Sequence, residues 1–189
     1  MKFRELELEI NDKVLVLSDI HYPHCNIDEI REITRRENPS LIILLGDIIV
    51  SQDYKTFLDK LQAKTQIVYV KGDEDKCDGD TDILKLKNYN KNYLLLHGHQ
   101  YFNERNEYQL AKFLMKINKN IPPFLFCLFF RLALKNLDNF LILGHSHALK
   151  YFKSIRCANA GTLSLVNNLY NDRGYIILDK KGIEVKTIK

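Results

Sequence analysis

From Glu5 to Ile10 acidic and apolar residues alternate, the two-residue period that lays one side of a strand on a core and leaves the other in water. The next apolar run, Val14 to Leu17, has no polar position, as expected of a strand covered on both faces. Leu41 to Leu45 and Ile67 to Val70 repeat that pattern. Between the runs, Ile30 and Ile33 within Asp28 to Glu37, and then Phe57, Leu58 and Leu61, recur at helical spacing, and Pro39 follows the end of the first helix. Strand and helix in alternation predict parallel strands joined by right-handed crossovers.

The second half is less regular. Asp73 to Asp82 is acidic and turn-rich, Leu84 and Leu86 indicate a short strand, and Tyr93 to Leu96 a firmer one. Tyr108, Leu110, Ala111, Phe113, Leu114 and Ile117 describe a helix, Ile121-Pro122-Pro123 is expected to break the chain, and Phe124 to Leu134 reads as a further helix, apolar nearly all round until Arg131. Phe140 to Leu143, Arg156 to Ala158 and Tyr175 to Leu178 are expected strands. The last is paired as a hairpin with Ile183 to Ile188 across the turn at Asp179 to Gly182.

Composition narrows the picture. A chain of 189 residues that is 46% hydrophobic fills one core, so a single domain over 1–189 is expected, with a helical insertion at about 104–136. The net charge of +4 is spread among interspersed acids and bases, so no basic stripe points to nucleic acid. Cys25, Cys77, Cys127 and Cys157 form no close pairs, which argues against a disulfide framework and a thiolate zinc site and for a reducing cytoplasm. The N-terminus lacks the apolar core of a signal peptide, and Phe124 to Leu134 falls short of the ~20 residues that span a bilayer.

The ends of the apolar runs carry the chemistry. Asp19 and His21 follow the run at Val14, Gly46-Asp47 the run at Leu41, and Gly72-Asp73-Glu74-Asp75 the run at Ile67. His97-Gly98-His99 follows Tyr93 to Leu96, and Gly144-His145-Ser146-His147 follows Phe140 to Leu143. Any one of these motifs is weak, and a single His is more often a packed or capping residue. Their order, each just past a buried strand, is specific. Mixed imidazole and carboxylate ligands suit borderline divalent ions such as manganese, iron, zinc or nickel and do not suit calcium.

In that order the motifs resemble the calcineurin-like metallophosphoesterase superfamily, over essentially the whole stretch from Asp19 to His147. Asn159-Ala160-Gly161-Thr162 is similar to the Asn-x-Gly-Ser turn of its small members. The length resembles the compact bacterial and archaeal phosphodiesterase branch, whose fold is shared by a subunit of the retromer coat. What the resemblance implies is an α/β fold of two mixed β-sheets packed as a sandwich and flanked by helices. A dinuclear centre is expected at the strand ends, with Asp19, His21, Asp47 and His147 on one ion and Asp47, Asp73, His97 and His145 on the other. The implied activity is hydrolysis of a phosphodiester or pyrophosphate bond in a small or nucleotide-linked substrate, by attack of a metal-bridging hydroxide. Two divalent ions are implied, manganese first and iron, zinc or nickel as alternatives.

Two residues depart from the family pattern, Asp73 where Asn is usual and Glu74 where His is usual. Glu74 and His24 are therefore the candidate proton donors, and His99, Asp75 and Arg105 are candidates to contact substrate or to orient a ligand. The retromer likeness implies the alternative of a catalytically weak or inactive metal-binding scaffold for partner proteins. The filled imidazole positions favour the enzyme.

The helix around 121–135, with Phe124, Phe126, Phe129 and Phe130, shows little polar face. Burial in the core or in a homodimer is the default reading, while Lys116, Lys119, Arg131 and Lys135 around it fit peripheral contact with lipid. Its placement is similar to the helical lid of pyrophosphohydrolases that act on a nucleotide-linked lipid. A lid implies an apolar groove beside the metals.

Overall fold

The computed structural model describes residues 3–51, 53–101, 104–135 and 138–188, and in the first turn of the helix at 104 it describes the backbone alone. The three uninterrupted apolar runs lie side by side. Val14–Leu17 (β2), Leu41–Leu45 (β3) and Gln66–Val70 (β4) are parallel, with Leu15 opposite Ile42 and Ile42 opposite Ile67. Their connections are helices α1 (Ile27–Glu37) and α2 (Tyr54–Leu61), started by Asn26 and Asp53 side chains that accept from the N–H groups of Glu29 and Thr56. The hairpin of β10 (Gly174–Asp179) and β11 (Gly182–Thr187) completes a five-stranded sheet in the order β11-β10-β2-β3-β4.

The alternating strand β1 (Glu5–Ile10) does not pair with its neighbour in sequence. It runs parallel to β5 (Ile83–Asn88) at the edge of a six-stranded sheet, ordered β1-β5-β6-β7-β9-β8, with β6 (Lys91–Leu96), β7 (Phe140–Leu143), β8 (Leu149–Phe152) and β9 (Cys157–Ala160). The exposed Glu5, Glu7 and Glu9 meet Lys85 and Lys87 across this pairing, which keeps a sheet edge charged.

Alternation of side chains along the buried strands divides the core into layers. Val14, Val16, Leu41, Ile43, Val68 and Val70 face Leu84, Leu86, Leu95, Ile142 and Ala158 between the two sheets. Leu15, Leu17, Ile42 and Leu44 point outward onto Ile30 and Ile33 of α1 and Phe57 and Leu61 of α2. The outer face of the other sheet is covered from α4 (Ile121–Ala133) by Phe126, Cys127 and Phe130, and α3 (Glu104–Met115) packs on α4. The fold is thus the expected α/β sandwich of two mixed sheets flanked by helices.

Three expectations need correction. Ile121-Pro122-Pro123 does not break the chain; it forms the first turn of α4, where a missing N–H costs nothing because those donors have no intrahelical partner. Arg131 is not a surface cation. It is buried, and its guanidinium donates to the carbonyls of Ile155, Asn139 (2.8 Å) and Arg156 (3.0 Å), tying α4 to the sheet. Third, Cys127 and Cys157 form a disulfide between α4 and β9, with Cα atoms 5.9 Å apart. Their separation of 30 residues hides the pairing in the sequence. The bond removes the cysteine-based argument for a reducing compartment. Cys25 and Cys77 are free. Denatured, unreduced protein is therefore expected to titrate two thiols and reduced protein four, and closing a loop of this length is expected to stabilise the fold by about 3–4 kcal/mol. A thiol count of four without reductant would show that the bond does not form. No helix of the described residues is long and apolar enough to cross a membrane.

Candidate metal centre

Every strand that delivers a candidate ligand ends at the same edge of the sandwich. Asp19 and His21 follow β2, Asp47 follows β3, Asp73 follows β4, His97 follows β6, and His145 and His147 follow β7. The chain must turn sharply there to point these side chains at one another. It does so with left-handed backbone at Asp19, His21, Asp47, His145 and His147, where φ lies between 49° and 62°. Residues with a Cβ rarely adopt this region, and clusters of such strain mark sites that the surrounding structure over-determines. Space is equally tight. A Cβ at Gly46 would overlap the His97 ring, and one at Gly72 would overlap Asp47.

The side chains form two adjacent sets, linked where Asp47 of one approaches His21 of the other. Asp19, His21 and His147 make one group, and Asp47, Asp73, His97 and His145 make another; Asp47 also groups with His21 and Glu74, each group spanning no more than 4.8 Å between ligand atoms. His147 Nε2 lies 3.2 Å from Asp19 Oδ1 and 3.3 Å from His21 Nε2. His97 Nε2 lies 3.2 Å from both Asp47 Oδ2 and Asp73 Oδ1, and His145 Nδ1 lies 3.3 Å from Asp73 Oδ1. Asp19 Oδ1, Asp73 Oδ1 and His97 Nε2 are buried and lack a partner in hydrogen-bond geometry. Converging buried ligand atoms that do not satisfy one another fit divalent cations of the imidazole- and carboxylate-binding kind.

The protein fixes these ligands from behind. His97 Nδ1 donates to the Leu45 carbonyl at 3.0 Å, which leaves Nε2 to face Asp47 and Asp73. Ser18 Oγ sits 2.5 Å from Asp19 Oδ2 and 2.9 Å from the Leu45 carbonyl. Thr162 donates through Oγ1 to the Asp19 carbonyl at 2.8 Å, and Asn159 reaches the Pro123 carbonyl while accepting from Ser146 Oγ, so the Asn-Ala-Gly-Thr turn braces both the Asp19 loop and the His145 loop. The Phe126 ring lies nearly parallel to the His145 ring, centroids 6.3 Å apart. Ser18 and Phe126 were not singled out as site residues in the sequence. Position beside Asp19 could have flagged the first; the second arrives from a helix distant in sequence.

Charge is strongly organised. Burial opposes the Asp19 carboxylate, but the adjacent His147 imidazole, with help from His97 and Ser18, holds it down at about 2. Burial likewise opposes Asp73, and the adjacent imidazoles of His145 and His97 outweigh it and keep its pKa below the usual carboxylate range. Burial alone would lower His97, yet Asp47 and Asp73 raise it well above the ordinary imidazole value. Negative charge thus dominates the cluster and favours a cation.

The remaining candidates are placed unequally. Glu74 is at the rim, with Oε2 3.3 Å from His21 Nδ1 and its N–H donating to Asp47 Oδ1 at 3.0 Å. His99 Nδ1 lies 3.7 Å from Asp73 Oδ1, and burial followed by the neighbouring His97 lowers its pKa. Asp75 is buried and accepts backbone N–H groups from Asp47, Ile48, Ile49 and Gly72, without joining the ligand groups. His24 is exposed on the loop after His21, and its side chain makes no hydrogen bond or ion pair among the described residues. Arg105 lies in the first turn of α3, and its side chain is outside the described residues.

A two-sheet sandwich with imidazoles and carboxylates gathered beyond its strand ends is a metal-binding α/β scaffold. The chain belongs to the calcineurin-like phosphoesterase superfamily, whose domain model matches residues 13–182. No curated protein matches it by sequence. Among solved structures it is similar to Vacuolar Protein Sorting 29 of Cryptosporidium parvum, with 17% identity and a TM-score of 0.64 over 94% of this chain and 92% of that one. It is also similar to Yfce, a phosphoesterase from E. coli, with 16% identity and a TM-score of 0.57 over 93% and 92% of the two chains. An archaeal phosphodiesterase shares 18% identity and a TM-score of 0.57 over 93% of this chain and 98% of that one. At these identities the likeness is one of fold.

Proposed function

We propose that the protein is a dinuclear, metal-dependent phosphoesterase that hydrolyses phosphodiester or pyrophosphate bonds. The observation that carries this reading is the convergence of two ligand groups, Asp19 with His21 and His147 and Asp47 with Asp73, His97 and His145, linked where Asp47 approaches His21, with Asp19 Oδ1, Asp73 Oδ1 and His97 Nε2 buried and unpaired. Asp19, His21, Asp47 and His147 would hold one ion and Asp47, Asp73, His97 and His145 the other. Manganese is the first candidate, and iron, zinc or nickel fit the same donors. When bound, two such ions supply a positive clamp for a phosphate and make water nucleophilic at neutral pH.

In hydrolysis a water oxygen bonds to phosphorus, the bond from phosphorus to the leaving oxygen breaks, and that oxygen takes up a proton. Glu74 is the residue best placed to manage that proton, since it lines the open side of the cluster and touches His21. His99 backs the ligand layer beside Asp73. Glu74→Gln is expected to lower kcat about 100-fold for a diester with an alkyl leaving group and much less for a nitrophenyl one, which leaves without protonation. Equal loss on both would remove Glu74 from the proton transfer.

The Cys127–Cys157 bond removes the support that the cysteines gave to a cytoplasmic setting. The likeness to Vacuolar Protein Sorting 29 supports a second reading, a metal-binding scaffold for partner proteins. Protein that holds two ions and turns over neither bis-nitrophenyl phosphate nor the monoester would favour it.

A further inference from the structure

A groove of about 640 Å³ opens beside the cluster. Asp73, Glu74 and His145 line one end of it, and the rest of its wall is largely apolar, drawn from α3, α4 and the segment at 168–170. That size suits a ligand of drug-like dimensions. Its rim is unusual, because Leu110, Leu125 and Phe129 line the groove and yet remain 59%, 42% and 39% exposed. The same two helices and the turn between them leave Phe113, Ile117 and Leu132 more than 60% exposed. So much apolar surface facing water marks a contact site.

Charge says what kind of surface covers it. From Tyr108 to Leu137 the sequence has no Asp or Glu, whereas Lys112, Lys116, Lys119 and Lys135 all lie on the surface. A two-fold dimer through this face would set lysines against lysines. An anionic bilayer complements both features, taking the apolar side chains into its interface and the lysines at its headgroups. We infer that the α3–α4 face docks on an anionic membrane and that the groove takes the hydrocarbon part of an amphiphilic phosphoester drawn from it, presenting the phosphate to Asp73 and His145. The second half of this inference rests on the phosphoesterase reading.

The two halves are tested separately on the full chain. Sedimentation with vesicles needs no catalysis. Protein without added metal is expected to bind vesicles of phosphatidylcholine with phosphatidylglycerol, to bind pure phosphatidylcholine at least tenfold more weakly, and to lose binding in Phe113→Ser/Ile117→Ser, whose sites are too exposed to carry the fold. Each lysine near the anionic surface contributes about fivefold. For the groove, kcat/KM on nitrophenyl alkyl phosphodiesters below their micellar concentration is expected to rise up to about fourfold per added methylene until the groove is filled.

Indifference to vesicle charge, or binding unchanged in the double variant, overturns the docking surface. So does a concentration-dependent dimer that the same substitutions dissolve while vesicles are ignored, and it assigns the face to a second copy. Cleavage of short and long esters at equal kcat/KM overturns the amphiphilic substrate and leaves the phosphoesterase standing. No cleavage of any ester in metal-loaded protein removes the phosphoesterase reading and the substrate with it, and vesicle binding still decides the surface.

Discussion

In Asp47→Asn, metal-dependent hydrolysis of bis-nitrophenyl phosphate is expected to fall by more than the roughly 10–100-fold that follows loss of a group merely orienting a ligand. Asp47 is the residue common to both sides of the cluster, grouped with Asp73, His97 and His145 and also with His21 and Glu74. It is buried, its Oδ1 takes the Glu74 N–H, and its Oδ2 faces His97. Asn keeps the shape and one oxygen, so the loop hydrogen bond survives while a charge and a ligand atom disappear. The loss should therefore appear in bound metal as well as in rate. Elemental analysis after loading chelator-stripped protein with manganese is expected to give two ions in the parent and fewer in the variant. Full metal content and full turnover in Asp47→Asn would place the chemistry elsewhere.

The candidate ligand positions could be read because each follows a short apolar run that the alternation with helices marks as a buried strand. That position made Asp19, Asp47 and His97 candidates, and the order of the motifs with the family resemblance supplied the ligand set. The backbone bends that aim them could not be read, since nothing in Asp-Ile-His or Gly-His-Ser-His announces left-handed φ in residues that carry a Cβ. The strands themselves were clear where patterning was extreme, but β8, with Lys150 between Leu149 and Tyr151, was too short to call from pattern. Long-range pairings were opaque for a different reason. Arg131 looked like one of several cations around an apolar helix, and only the fold brings the carbonyls of Ile155 and Arg156 to it. The Cys127–Cys157 bond was hidden in the same way, by a helix-to-strand contact that spacing does not encode. The apolar helix was legible as apolar; that Phe126 and Phe130 face the core while Leu125 and Leu132 face out follows from packing.

Asp75→Ala is expected to destabilise the protein by on the order of 4 kcal/mol, at about 1 kcal/mol for each buried donor it deserts. Its Oδ2 accepts from the N–H groups of Asp47 (3.0 Å) and Gly72 (2.7 Å), and its Oδ1 from those of Ile48 (2.6 Å) and Ile49 (2.9 Å). One carboxylate thus stitches the loop after β3 to the loop after β4, and it holds both Asp47 and the Gly72-Asp73 turn where the ligand groups need them. Asn is no remedy, because its amide would point hydrogens at two of the same donors. Because this role is independent of any ion, the loss should be present in urea melts of metal-free protein and should carry reduced metal binding with it. A ligand would behave in the opposite way: removing one of several crowded carboxylates would relieve repulsion in the metal-free state and cost stability after loading. Metal-free stability unchanged in Asp75→Ala would therefore sink the assignment of Asp75 as the stitch.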